Sequence, residues 1–139
     1  MRNHSIPAFI VLSALLLWAS CTPATRVFYQ TRGNDVAKIE LRLRANHSFR
    51  MQFKALDDVP PKAYTFKGKW EDRQDKTRLQ FRVNKKGIPD INALFDPALD
   101  EKKSVRVIDS KTVEFKKDAR RIAIWGLECE RKNPPSKQK

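Results

Sequence analysis

Between Ile39 and Val83 apolar and polar residues alternate with a period of two. Ile39, Leu41 and Leu43 take turns with Glu40, Arg42 and Arg44, and Phe49, Met51 and Phe53 with Arg50, Gln52 and Lys54. Tyr64, Phe66, Gly68 and Trp70 enclose Thr65, Lys67 and Lys69, and Leu79, Phe81 and Val83 enclose Gln80 and Arg82. Successive side chains of a strand point to opposite faces, so the pattern predicts half-buried antiparallel strands. The polar stretches Ala45 to Ser48 and Glu71 to Thr77 read as the turns between them.

The second half repeats the arrangement less regularly, with Val105 to Ile108, a turn at Asp109 to Lys111, Val113 and Phe115, a charged turn near Lys117, and Ile122 to Cys129. From Gly87 to Asp100 the alternation stops. Pro89 can open a short helix there, and Ile91, Leu94, Phe95 and Leu99 then fall near helical spacing. This segment is expected to plug one end of the β structure; a lid over a ligand site is the sharper alternative. The predicted fold is all-β, a small antiparallel meander or up-and-down barrel of about seven to eight strands with one short helix between the halves. The domain spans residues 36–130, behind a tether at 21–35 in which Val27 to Tyr29 can add an edge strand. Residues 131–139, basic and containing Pro134 and Pro135, are expected to be a disordered tail.

The N-terminus sets the compartment. Arg2 is followed by the apolar run Ala8 to Trp18, interrupted only by Ser13, and then by the small residues Ala19 and Ser20. That order is the signature of a secretory signal peptide over residues 1–20. The run is about half the roughly 20 residues a spanning helix needs. Leu17-Trp18-Ala19-Ser20-Cys21 resembles the lipobox of bacterial lipoproteins, in which the cysteine thiol takes a diacylglyceryl group and becomes the new N-terminus. An aliphatic residue usually stands where Trp18 does. The resemblance implies lipidation at Cys21, a membrane attached by that lipid (palmitate included), and a cell-envelope location. Thr22 stands where the inner-membrane retention signal has Asp, which directs the expectation to the outer membrane. Ordinary secretion with a Cys21–Cys129 disulfide is the alternative. With Cys21 acylated, Cys129 is a lone thiol, expected as a small apolar residue on the last strand.

The chain holds 29 Lys and Arg against 16 Asp and Glu, a net charge of +13. In an exported protein this balance points to anionic lipid, lipopolysaccharide or other acidic envelope polymer as partner, with no nucleic acid. Arg42, Arg44, Arg50, Lys54, Lys67, Lys69, Arg78 and Arg82 all fall at outward positions of four neighbouring strands, where Glu40 is the only acid, so a continuous cationic sheet face is predicted. The inward residues Phe49, Phe53, Phe66, Trp70, Phe81, Phe115 and Trp125 either fill the core or line a site for an apolar or amphiphilic small molecule. Catalysis requires a nucleophile with a base, paired carboxylates or a metal set. His4 lies in the signal and His47 stands alone in a turn, so neither catalytic residues nor a metal or other cofactor is expected, and the chain reads as a non-catalytic, membrane-anchored envelope protein.

The block from Lys38 to Val83, with Leu41-Arg42-Leu43, an Asn-containing turn, Phe49 opening a second strand and then Gly68-Lys69-Trp70, resembles small lipocalin-like bacterial lipoproteins. The N-terminal barrel of NlpE-type outer-membrane lipoproteins is the nearest comparison. Those domains carry a Cys-x-x-Cys ahead of the first strand. Phe28 to Val36 holds no cysteine, which removes the basis for copper binding or a disulfide sensor. The lipobox resemblance generates one prediction: Cys21→Ser abolishes radiolabelled palmitate incorporation and releases the protein from the membrane fraction, and labelling that survives the substitution refutes it.

Overall fold

The computed structural model describes residues 23–83 and 90–134. The signal segment, Cys21, Pro89 and residues 135–139 lie outside them. Among the described residues nine antiparallel strands form one sheet rolled into a nearly closed barrel: β1 (Thr25–Thr31), β2 (Ala37–Arg44), β3 (Ser48–Ala55), β4 (Lys62–Arg73), β5 (Lys76–Phe81), β6 (Val105–Asp109), β7 (Thr112–Lys116), β8 (Arg121–Ile124) and β9 (Leu127–Lys132). Between β5 and β6 come one helical turn, α1 (Ile91–Leu94), and a 3-10 turn, Pro97–Leu99.

The sheet order is β6-β7-β5-β4-β3-β2-β1-β9-β8. The first five strands are a simple meander. Each C-terminal hairpin then joins the sheet through its second strand, β7 beside β5 and β9 beside β1. β1 is therefore an interior strand, paired on both sides, not an edge. β9 runs through Arg131 and Lys132, the first two residues of the predicted tail. Ile122 to Cys129, expected as one strand, is broken at Trp125-Gly126, where φ is +56° and +74°. A two-residue turn with both φ values positive matches the twist of a β-hairpin. Tryptophan rarely adopts this conformation. Here its indole packs edge-on against Phe53 at 4.9 Å, and its backbone N–H donates to the Leu94 carbonyl.

Inside, Ile39, Leu41, Leu43, Phe49, Met51, Leu79, Val113, Ile122 and Ile124 are almost fully excluded from solvent and belong to one cluster. The alternation places them there; Phe49 packs against Phe81 at 4.9 Å within the meander, and Tyr29 against Phe115 at 5.7 Å ties β1 to β7 across the barrel. Gly68 faces inward opposite Phe49. A methyl group there would collide with the Gln80 carbonyl and the Phe49 ring, which accounts for the glycine in a strand otherwise poor in them.

Helix α1 closes the end of the barrel where β5 stops short of the upper half of β4. Asp90 caps it by accepting from the Ala93 N–H at 2.8 Å, and Ile91, Leu94 and Phe95 enter the core, Phe95 lying 5.9 Å from Phe81. Leu99, predicted to share that apolar stripe, is 54% exposed. Among the described residues every strand and core residue lies within 25–132, so the domain carries its own core.

Strand parity leaves a seam. In a nine-stranded antiparallel sheet the two outermost strands, β6 and β8, run in the same direction and do not pair. Side chains bridge the gap. The Ala123 N–H of β8 donates to Ser104 Oγ at 2.9 Å, Ser104 Oγ donates to Asp100 at 3.0 Å, and the buried Asp100 carboxylate also accepts from the backbone N–H groups of Ser104 and Val105, each at 2.9 Å. Asp100 is 6% exposed. Its removal strands a buried Val105 N–H and frees the serine, so Asp100→Ala is expected to lower unfolding free energy by about 3 kcal/mol and Ser104→Ala by about 1 kcal/mol, the range for lost hydrogen bonds to charged and neutral groups. Urea midpoints check both. Equal, small losses would show that the clip does not hold the seam.

Candidate functional site

The register of the meander decides which outward side chains meet. Arg42 of β2 lies directly opposite Arg50 of β3, and Arg50 directly opposite Lys67 of β4. Arg82, one residue past β5, continues the line, because its N–H donates to the Lys67 carbonyl at 2.8 Å. Four cations thus form one row across four strands. On the other side of Arg42 stand Phe28 of β1 and then Lys132 of β9.

The eight predicted cations do not all contribute alike. Arg78 is taken up by Glu114 of β7, which accepts from its Nη2 at 3.0 Å and its Nε at 3.3 Å. Glu71 faces Arg78 from β4, which runs to Arg73, past the turn expected at that point. These two acids correct the reading of Glu40 as the only one on the face. Glu71 is there because β4 extends past the expected turn, whereas Glu114 has a tertiary cause: β7 docks beside β5, a pairing no local pattern announces. Arg42 is paired with Glu40 at 3.3 Å. Lys54 faces Lys38 across β2 and β3, while Lys69 lies between Ser48 and Gln80, and Arg44 opposite Thr25. Among the described residues, Arg44, Arg50, Lys54, Lys67, Lys69 and Arg82 have no carboxylate within 4.0 Å.

Two groups at this site escaped the sequence. Phe28 points outward yet is only 6% exposed, with the Arg42 guanidinium 4.8 Å above its ring. A cation over an aromatic face is attracted by the ring's quadrupole. The signal was present, an aromatic in outward register with Arg42, but it required knowing that β1 pairs with β2. The second group is Arg50 Nε, which is buried and has no hydrogen-bond partner.

At the lower corner of the face, a groove of about 590 Å³ lies among His47, Lys69, Trp70, Arg78, Gln80 and Asp109. His47 adopts a φ of +67°, its Nδ1 lies 3.2 Å from the Trp70 carbonyl, and its ring packs 5.1 Å from the indole. Its role there is to close the β2–β3 turn onto β4. The backbone N–H of Lys111 and the side chain of Thr112 hold the Asp109 carboxyl below its ordinary value.

The predicted lining aromatics all lie on the inner side. Phe49, Phe53, Phe66, Trp70, Phe81 and Phe115 are buried and Trp125 partly so, with the ring contacts Phe49–Phe81, Phe66–Phe81 and Phe53–Trp125 among them, while Phe115 packs on Tyr29 and Trp70 on His47. The Trp70 indole N–H donates to the Arg44 carbonyl at 2.8 Å, which satisfies its single polar atom. No group of three or more His, Cys, Asp or Glu side chains suited to a metal ion occurs among the described residues. Likewise, no helix among them is long and apolar enough to cross a membrane. Comparisons with protein-family models, curated proteins and solved structures find no match.

Cys129 is a free, fully buried thiol on β9, opposite Thr31. Burial pushes its pKa up to about 12, from 9.0. Burial likewise raises Tyr29 to about 12, from 10.0, and its hydroxyl donates to the Ala119 carbonyl at 2.6 Å. Both groups are neutral in the folded protein at pH values where the unfolded chain has already lost the proton, so their contribution is complete below pH 9 and falls as pH climbs toward 12. The expected outcome is that iodoacetamide modifies Cys129 only after denaturation, and that the urea midpoint drops between pH 9 and pH 12, less steeply in Cys129→Ala. Rapid alkylation of the folded protein at neutral pH contradicts the burial.

Proposed function

We propose that the chain is a non-catalytic envelope lipoprotein, held by a lipid on Cys21 at the outer membrane, that contacts anionic lipid, lipopolysaccharide or another acidic envelope polymer through the outer face of β2 to β5. The observation that carries this reading is the cross-strand row Arg42, Arg50, Lys67 and Arg82. Like charges placed directly opposite on neighbouring strands destabilise a sheet, and a polyanion lying along them reverses the sign of that energy.

The anchor adds to the effect. β1 begins at Thr25, so the tether shortens to Thr22, Pro23 and Ala24. Four residue steps from Cys21 span about 14 Å at most. Near an anionic surface each exposed Lys or Arg adds on the order of 1 kcal/mol, and the attraction fades beyond roughly 8 Å at physiological salt. A short tether keeps one end of the barrel close to that range. The NlpE-like resemblance agrees with an anchored barrel, without the cysteine pair. The alternative, a lipocalin-like site for a small apolar ligand, draws less support, because the seven aromatics belong to or pack against the single core cluster.

The test uses the non-acylated chain from Thr22 onward with anionic vesicles or lipopolysaccharide. Binding is expected to fall steeply as salt rises. Changing Arg50, Lys67 and Arg82 to Gln is expected to weaken it about tenfold or more, whereas truncation after Pro134, which spares β9, changes it little. If the truncation abolishes binding and the Gln variant binds normally, the tail is the polyanion contact and the sheet face is not.

A further inference from the structure

Within the row, the three side chains Arg42, Arg50 and Lys67 differ in how their charges are compensated. Arg42 is braced from two sides, by Glu40 at 3.3 Å and by the Phe28 ring at 4.8 Å, and Glu40 is itself held by Gln30 at 3.2 Å and Lys38 at 3.7 Å. That arrangement fixes the direction of the Arg42 guanidinium and offsets part of its charge. Arg50, in the centre, has neither brace. Its Nε is shielded from solvent without an acceptor, and both cross-strand neighbours are cations. A guanidinium that has shed part of its hydration and gained no partner is costly. Its uncompensated charge strengthens the potential at the middle of the row.

We propose that Arg50, flanked by Arg42 and Lys67, is a discrete site for the phosphate monoester of a lipid headgroup; the proposal rests on the surface function above and names its ligand chemistry. Neighbouring strands lie about 4.8 Å apart, so side-chain heads from adjacent strands reach one tetrahedral group together. A phosphate monoester carries about −1.5 to −2 charges at neutral pH and three acceptor oxygens. One such group answers three cations, where a carboxylate answers one. Arginine contributes a planar fork that takes two phosphate oxygens at once, and Lys67 contributes a mobile point charge. The Arg42 brace supplies the pre-organisation, and the short tether keeps the row near headgroups.

Geometry separates this site from a diffuse basic surface, since a diffuse surface depends on charge and a site depends on the fork. The experiment measures binding of the chain from Thr22 onward, which contains the whole core, to vesicles containing phosphatidic acid and to vesicles of matched surface charge containing oleate. A third arm adds inorganic phosphate to the protein bound on phosphatidic acid vesicles, where millimolar phosphate is expected to displace little of it. Phosphatidic acid vesicles are expected to bind at least fivefold tighter than oleate vesicles. Arg50→Lys is expected to lose about tenfold on phosphatidic acid with oleate binding unchanged. Lys67→Gln, at an exposed position where folding is not at stake, is expected to lose about threefold on the same vesicles. Equal binding to both vesicles, with Arg50→Lys matching the parent, overturns the site and leaves the surface function standing. Failure to bind either vesicle overturns both. Inorganic phosphate that displaces the protein from phosphatidic acid at low millimolar concentration overturns the lipid source in favour of a free phosphate.

Discussion

Pairing Leu41 with Met51 and Met51 with Phe66 on the inner face obliges Arg42 to face Arg50, and Arg50 to face Lys67, on the outer one. The two sets cannot be chosen separately. A slip of one residue would turn every side chain of a strand over and bring the charged set into the core. A slip of two would keep the faces but break the contact between Gly68 and the Phe49 ring, which tolerates no other inward residue at that point of β4. The charge row is thus locked by the core behind it, and its repulsion cannot be relieved by sliding strands. Side-chain motion or a bound anion remains as relief.

The same core accounts for the rest of the barrel. An odd strand number excludes an antiparallel pair between β6 and β8, and no backbone pairing joins them, so closure falls to Asp100, Ser104 and the plug made by α1. The charges on that side alternate in sign. Arg121 lies 3.0 Å from Glu128, and Glu130 is approached by Arg32, Arg121 and Lys132. The molecule therefore has two electrostatic sides. Across β8, β9 and the start of the β1–β2 turn the ion pairs neutralise one another, whereas across β2 to β5 most cations stand without a partner among the described residues.

Much of this was legible from residue order. Period two gave the faces of β2 to β5, so the eight cations and the inward aromatics were assigned to the correct sides, and the Gly87–Asp100 break located the helical plug. What remained hidden depended on pairings between strands far apart in sequence. β7 brings Glu114 to Arg78 across 36 positions, and nothing near either residue announces it. β1 sits between β2 and β9, which converts a presumed tether into an interior strand and places Phe28 beneath Arg42. The Trp125-Gly126 turn was obscured because tryptophan is a poor residue for positive φ, and only its contacts with Phe53 and Leu94 make the conformation acceptable there. The buried position of Asp100 was likewise hidden, since burial of a single acid is not visible in one sequence.

If the row is a set of aligned, uncompensated charges, repulsion along it must show in the stability of the folded chain. The most direct measurement is the urea midpoint of the chain from Thr22 onward, followed as sodium chloride rises from low to physiological concentration, for the parent, for the Arg50, Lys67 and Arg82 to Gln variant, and for a control with Lys62, Lys102 and Lys117 changed to Gln, which have no cation directly opposite on a neighbouring strand. Both variants lose the same charge. Aligned repulsion predicts a midpoint that climbs with salt in the parent and in the control and is nearly flat in the row variant, because screening has little left to relieve. Equal salt slopes for the two variants would contradict it, and would mean that the face acts only through the net charge of the molecule.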